Sequence, residues 1–207
     1  MKILTSSIPH SFNSSQNVTL YYTGKTSLME RFVAQKFTSQ YKATIGADFS
    51  TKDVTVGTEL ITLQIWDTAG QERYQSLGTA FYRGADACVL VYDVSDALSF
   101  QKLESWRTAF LNAADIKDPQ TFPFVVLGNK ADLDAPKQVV QAASVKAWCD
   151  KHNNIPSFAV SAKTGDNVET AFISVVKAAA ARVKEEEPIS ESFFIFLFFL
   201  YTIKIVI

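Results

Sequence analysis

Two uninterrupted apolar runs constrain this chain most: CVLVYDV at residues 88–94 and FPFVVLGN at 122–129. A strand with one face in water alternates apolar and polar residues, so a continuous run reads as a strand covered on both faces. Helical periodicity fills the space around these runs. Phe100, Leu103, Trp106, Phe110 and Leu111 share one helix face, as do Val140, Val145, Trp148 and Cys149. An Ala-rich pattern at 168–183 comes after the cap candidates Asp166 and Asn167. Earlier in the chain, 48–56 (DFSTKDVTV) and 60–66 (LITLQIW) are rich in β-branched and aromatic residues, and the Gly57-Thr58 link reads as a hairpin. A weaker strand signal, SFAVSA, lies at 157–162. Strands alternating with helices predict right-handed βαβ units and a mostly parallel sheet, an α/β fold. Such sheets bind ligands at the carboxyl ends of their strands. The residues just past each strand end therefore carry the functional information.

The 20 basic and 21 acidic residues nearly cancel, which argues against a nucleic-acid partner. With 47% apolar residues the chain can build a full core. Cys88 sits in an apolar run and Cys149 in a helical pattern, so both read as buried thiols and not as a disulfide. The first ten residues, MKILTSSIPH, hold too short an apolar stretch for a signal peptide.

Chemistry-bearing residues sit where the fold class wants them. After the 60–66 strand comes Asp67-Thr68-Ala69-Gly70-Gln71-Glu72. A carboxylate there can hold Mg2+ through a water, and Gly70 lets a backbone N–H approach a terminal phosphate because no Cβ intrudes. Gln71 is then placed to orient an attacking water. After the 122–129 strand comes Asn129-Lys130-Ala131-Asp132. A carboxylate can accept from the N1–H and 2-amino group of guanine, a donor pair that adenine lacks, and the stem of Lys130 can lie along the base. After the weaker strand comes Ser161-Ala162-Lys163, whose Ala162 N–H is a candidate donor to guanine O6. Gly24-Lys25-Thr26-Ser27 opens a helical pattern. It offers a lysine for phosphates and a hydroxyl for Mg2+ at a helix N-terminus that favours anions. Thr44 is a candidate second Mg2+ ligand. Alone, D-x-x-G reads as a common turn, N-K-x-D as a helix-capping turn, and S-A-K as near noise. Together and in this order they point to a guanine-nucleotide site.

GKTS, TIG, WDTAGQE, NKAD and SAK resemble the nucleotide-binding motifs of Ras-like small GTPases, over about 160 residues. Ile45-Gly46-Ala47-Asp48-Phe49 is similar to switch I of the Rab family. Residues 73–78 and 81–86 resemble Rab switch II. YKATIGADF, YQSLG, FYRGAD, FPFVVLGNKADL and NNIP look like the late-endosomal and vacuolar Rab branch. The resemblance implies a P-loop G-domain with a mostly parallel six-stranded sheet flanked by helices. It implies GTP, GDP and Mg2+ as ligands, and slow GTP hydrolysis that switches vesicle traffic to the late endosome, vacuole or lysosome. Tyr41, Ser27 and Leu133 join the nucleotide set by this resemblance. Ile45, Phe49, Trp66 and Phe81 match the Rab effector surface, though Trp66 is equally readable as an ordinary core aromatic. An exchange factor, a GTPase-activating protein and effectors are the implied partners, on the cytoplasmic face of late-endosomal or vacuolar membranes.

The chain also departs from that pattern. A phosphate loop needs G-x-x-x-x-G-K-[ST] after a buried strand, yet Thr19 stands where the first glycine belongs and Tyr22 where a further one is usual. Residues 5–17 are polar and turn-rich, so the family's central first strand is missing and its neighbours are expected to lose their partner. Residues 18–22 are the candidate replacement. At the other end, no cysteine follows Cys149 to accept a prenyl group. Residues 193–207 read FFIFLFFLYTIKIVI, short of the roughly 20 residues a spanning helix needs. The expected organisation is an atypical segment at 1–17, a Rab-like domain at 18–184 and an atypical apolar tail at 185–207. These ends leave three readings open: a gene model with misplaced exon junctions, an interaction module that no longer binds nucleotide, or a tail-anchored membrane protein.

Overall fold

The computed structural model describes residues 22–40, 42–70, 81–186 and 201–207. Six strands form one sheet: β1 (Ala47–Val56), β2 (Glu59–Thr68), β3 (Ala87–Asp93), β4 (Phe124–Asn129), β5 (Ser157–Ala159) and β6 (Tyr201–Val206). Among the described residues the α-helices are α1 (Lys25–Ala34), α2 (Ala97–Gln101), α3 (Leu103–Ala114), α4 (Ala142–Lys151) and α5 (Val168–Glu186). In space the strands run β1-β2-β6-β3-β4-β5. β1 and β2 form the antiparallel hairpin anticipated at Gly57, which turns at φ 64. All other pairings are parallel.

The two continuous apolar runs are β3 and β4, and every residue of both is buried. Alternation divides them between two cores. Val89 and Val91 face α1 and α5 in one cluster with Leu28, Phe32, Phe172 and Val176. Cys88, Leu90 and Tyr92 face α3 and α4 in the other, with Leu103, Phe110, Val145 and Cys149. The α/β expectation holds, with helices on both faces of a mostly parallel sheet. Both cysteines are free and buried, as expected of thiols placed in cores.

The tail requires a correction. The sequence places residues 185–207 outside the domain and leaves the first-strand position vacant. Tyr201–Val206 instead occupies the middle of the sheet, parallel to β2 and β3, in the register Ile61↔Tyr201 to Trp66↔Val206. The physical reason lies in the side chains. Ile203, Ile205 and Ile207 enter the α1/α5 core and Val206 the opposite one, so this segment has apolar groups for both faces of a central slot. Among the described residues no helix is long and apolar enough to cross a membrane. The expected segment at 1–17 and residues 18–21 of the candidate replacement strand at 18–22 lie outside the described residues, and Tyr22 is not in a strand.

Candidate functional site

The carboxyl ends of β2 and β4 and the start of α1 converge on a cleft of about 1090 Å3. Gly24, Lys25, Thr26, Ser27, Thr44, Gly70, Asn129, Lys130, Asp132, Leu133, Ala162 and Lys163 all line it. Asp67 and Ser161 lie just beneath, fully buried. Tyr41 and Gln71 lie outside the described residues.

At one end of the cleft, Asp67 is the organising group. Its Oδ2 accepts from Thr26 Oγ1 at 2.5 Å and from Thr44 Oγ1 at 2.9 Å, and the two hydroxyl oxygens are 2.9 Å apart. Thr26 comes from the first turn of α1. Thr44 is carried by a segment tied to the end of β2, where Ala69 N–H donates to Gly46 O at 2.9 Å. Asp67 Oδ1 is buried with no hydrogen-bond partner. Burial pushes the Asp67 carboxyl above its ordinary value, although Lys25 and the two threonines pull it back. Burial likewise pushes the Lys25 ammonium down, with Asp67 opposing. Asp67 is thus a fully buried carboxylate with one oxygen left uncompensated, which a bound cation would satisfy. The donor set of one carboxylate and two hydroxyls suits a hard cation such as Mg2+, with an orphaned carboxylate oxygen available to it. Among the described residues no three His, Cys, Asp or Glu side chains come together to hold a metal ion, so a cation here would rest on the one carboxylate and the two hydroxyls.

At the other end, three loops are laced together. Asn129 Nδ2 donates to Thr23 O at 2.8 Å and its Oδ1 accepts from Ala162 N–H at 3.0 Å. The Ala162 N–H anticipated for guanine O6 is thus already held by Asn129, because that side chain bridges the loop before α1 to the loop after β5. Asp132 accepts from Ser161 Oγ at 2.6 Å, with Lys163 Nζ 3.6 Å from its other oxygen. The Ser161 bond is the main reason its carboxyl lies below the ordinary range. Lys130 adopts φ 69 and pairs through Nζ with Asp93 Oδ2 at 2.5 Å, which anchors its stem along the cleft.

Gly24 shows why a glycine is needed here. It has φ +81, and a Cβ on it would sit 2.5 Å from Asn129 Nδ2. Tyr22 also lines the cleft, 43% exposed. Sequence reasoning missed Arg31. It reaches from α1 to donate through Nε to Ala162 O and through Nη2 to Lys163 O, each at 2.8 Å. It also missed Phe37, a half-exposed aromatic on the cleft wall. Neither carries a local motif.

Beside the cleft, Phe49, Trp66 and Phe81 form a contiguous aromatic group, with ring centres 4.9 Å and 5.0 Å apart. Trp66 is half-buried while Phe49 is 44% exposed, so the group reaches the surface, and Ile45 is 75% exposed. The remaining residues at 73–80 lie outside the described set.

The sequence matches the Ras family model over residues 20–181. It is 60% identical over 166 residues to the Ras-related protein RABG3d of Arabidopsis thaliana, covering 80% of this chain and 81% of that one. It is 57% identical over 164 residues to Ras-related protein Rab-7a of Paramecium octaurelia, covering 79% of each. Ras-related protein Rab7 of Cenchrus ciliaris is 59% identical over 165 residues, with 79% of this chain and 80% of that one aligned. A matched model across most of the chain, with relatives this similar over four-fifths of their length, makes the chain a member of the Ras family of small GTPases, in its Rab branch.

Proposed function

We propose that this chain is a GTP-binding, slowly GTP-hydrolysing switch that regulates vesicle traffic to the late endosome and vacuole. The observation that carries the reading is that two chemically distinct half-sites share one cleft. The Thr26, Thr44 and Asp67 oxygens converge at one end and the Asn129, Asp132 and Ser161 network at the other. The likeness to Rab7 and RABG3 proteins supports the destination.

Asp132 accepts from the guanine N1–H and 2-amino group, which excludes adenine. Lys130 and Leu133 flank the base, and Ala162 and Lys163 keep the loop after β5 against it. Gly24, Lys25, Thr26 and Ser27 bind phosphate oxygens, and Gly70 admits the terminal phosphate. Thr26, Thr44 and Asp67 would hold Mg2+, which when bound neutralises charge developing on the phosphates. Gln71 orients the attacking water, Tyr41 flanks the nucleotide, and an activating protein supplies the arginine for fast turnover. Ile45, Phe49, Trp66 and Phe81 present the surface that effectors read, and an exchange factor resets the cycle.

Single-turnover hydrolysis of GTP by the full chain tests the reading. Slow, Mg2+-dependent hydrolysis that drops further in Gln71→Leu is expected. Hydrolysis indifferent to Mg2+ and to that substitution would overturn it.

A further inference from the structure

β2 and β3 are not neighbours; the β1–β2 hairpin is joined to β3–β4–β5 through β6. The strand meets the proposed Mg2+ carboxylate at its upper end. Ile207 N–H donates to Trp66 O at 3.0 Å, and Ile207 O accepts from Thr68 N–H at 3.1 Å and Thr68 Oγ1 at 2.9 Å. Both chain neighbours of Asp67 are therefore tied to one residue of the C-terminal strand. That fixes the direction in which Asp67 projects toward Thr26 and Thr44. On its other edge, Lys204 N–H donates to Asp86 Oδ2 and Asp86 N–H to Lys204 O, both at 2.8 Å. Lys204 Nζ donates to Arg83 O at 2.7 Å and lies 5.1 Å from the centre of the Trp66 ring. The same strand thus links residues 83–86, just beyond Phe81, to β2.

We propose that residues 203–207 are positioning residues for the nucleotide site: docked between β2 and β3, they hold Asp67 against Thr26 and Thr44, so strand docking and Mg2+–nucleotide binding are coupled. The docking half stands on geometry alone, while the coupling half rests on the function proposed above. Coupling between two such events is reciprocal. Mg2+ and nucleotide must tighten the strand by the factor that the docked strand tightens them.

Amide hydrogen exchange on the nucleotide-free full chain reads the docking by itself. Residues 201–207 are expected to exchange as slowly as β4. Ile205→Ala is expected to speed exchange in 201–207 and 61–69 more than in β4. Unprotected exchange of 201–207 in the unmutated chain would overturn the proposal. Coupling is read with Thr68→Val, which removes the hydroxyl donor to Ile207 and keeps the backbone bond. The Mg2+ concentration that half-saturates the GDP complex is expected to rise roughly two- to tenfold, the reach of one hydrogen bond, with GDP affinity in EDTA unchanged. No change, or an equal loss with and without Mg2+, overturns the positioning role. The Tyr82 hydroxyl also bonds the Thr68 side chain, so Tyr82→Phe is the control; a Mg2+ shift as large as that of Thr68→Val overturns the role as well. If 201–207 are protected but the chain binds no GDP, the proposed function falls and the coupling with it. If GDP binds while 201–207 exchange freely, this proposal alone falls.

Discussion

Gly24→Ala tests how tightly the phosphate end and the base end of the cleft are joined. The alanine would keep φ near +81, a left-handed conformation that costs an L residue roughly 1 kcal/mol. Its Cβ would also meet Asn129 Nδ2 at 2.5 Å. That amide cannot simply turn away. Asn129 is 2% exposed, and turning costs its bond to Thr23 O, an acceptor on a residue itself 8% exposed. Losing one such bond costs about 1 kcal/mol, and a stranded acceptor adds to it. The expected total is about 2–3 kcal/mol, a large share of the roughly 5–15 kcal/mol that holds a domain together. Urea denaturation of the nucleotide-free chain measures it. The decisive version is a cycle with Asn129→Ala. Without the amide the clash is gone, so Gly24→Ala should then cost only the backbone part, about 1 kcal/mol. The pair should therefore show an interaction of about 1–2 kcal/mol. Additivity within about 0.3 kcal/mol would refute the reasoning, because it would mean that the two residues do not compete for the same space.

The same geometry sets three further outcomes. Arg31→Ala removes the guanidinium that holds Ala162 O and Lys163 O, so GDP and GTP affinities should fall together, roughly tenfold given one to two lost charge-assisted bonds at a partly exposed site; titration with both nucleotides checks it, and unchanged affinities would contradict it. Burial holds the Asp67 carboxyl above its ordinary value of 3.8, so the nucleotide-free fold keeps a proton that the unfolded chain releases. That contribution is complete below the unfolded value and is lost as pH rises through the raised one. Asp67→Asn should therefore gain stability over the unmutated chain as pH climbs from about 4, and denaturation midpoints that differ by a constant amount across the window would count against it. Cys88 and Cys149 are buried and burial raises both thiols, so a thiol reagent should label neither until denaturant is added.

The strands and the site are legible in the sequence for a common reason, which is that their signals are local. β3 and β4 announce themselves as continuous apolar runs. Gly24 to Ser27, Asp67 to Gly70 and Asn129 to Asp132 each sit at the end or start of one element. The spatial partners are not legible. Arg31 contacts residues more than 130 positions away, and nothing in its own helix marks it. The bond between Asn129 and Ala162 gives the anticipated O6 donor a partner within the protein itself. The tail is the largest miss. The vacant central position is visible in the sequence, and residues 18–22 offer themselves for it because they are adjacent along the chain. Yet Ile203, Ile205 and Ile207 on one face with Val206 on the other are the pattern of a strand buried on both faces, the same pattern that identifies β3 and β4. Read as one apolar block, 193–207 hides that strand at its end.

The central claim is that this cleft binds guanine nucleotide with Mg2+. Its most direct test is a titration of the full 207-residue chain with fluorescent GDP, with and without Mg2+, and with ATP as competitor. Saturable binding that Mg2+ strengthens and ATP does not displace is the predicted result. Absence of binding, or displacement by ATP as readily as by GTP, would contradict it.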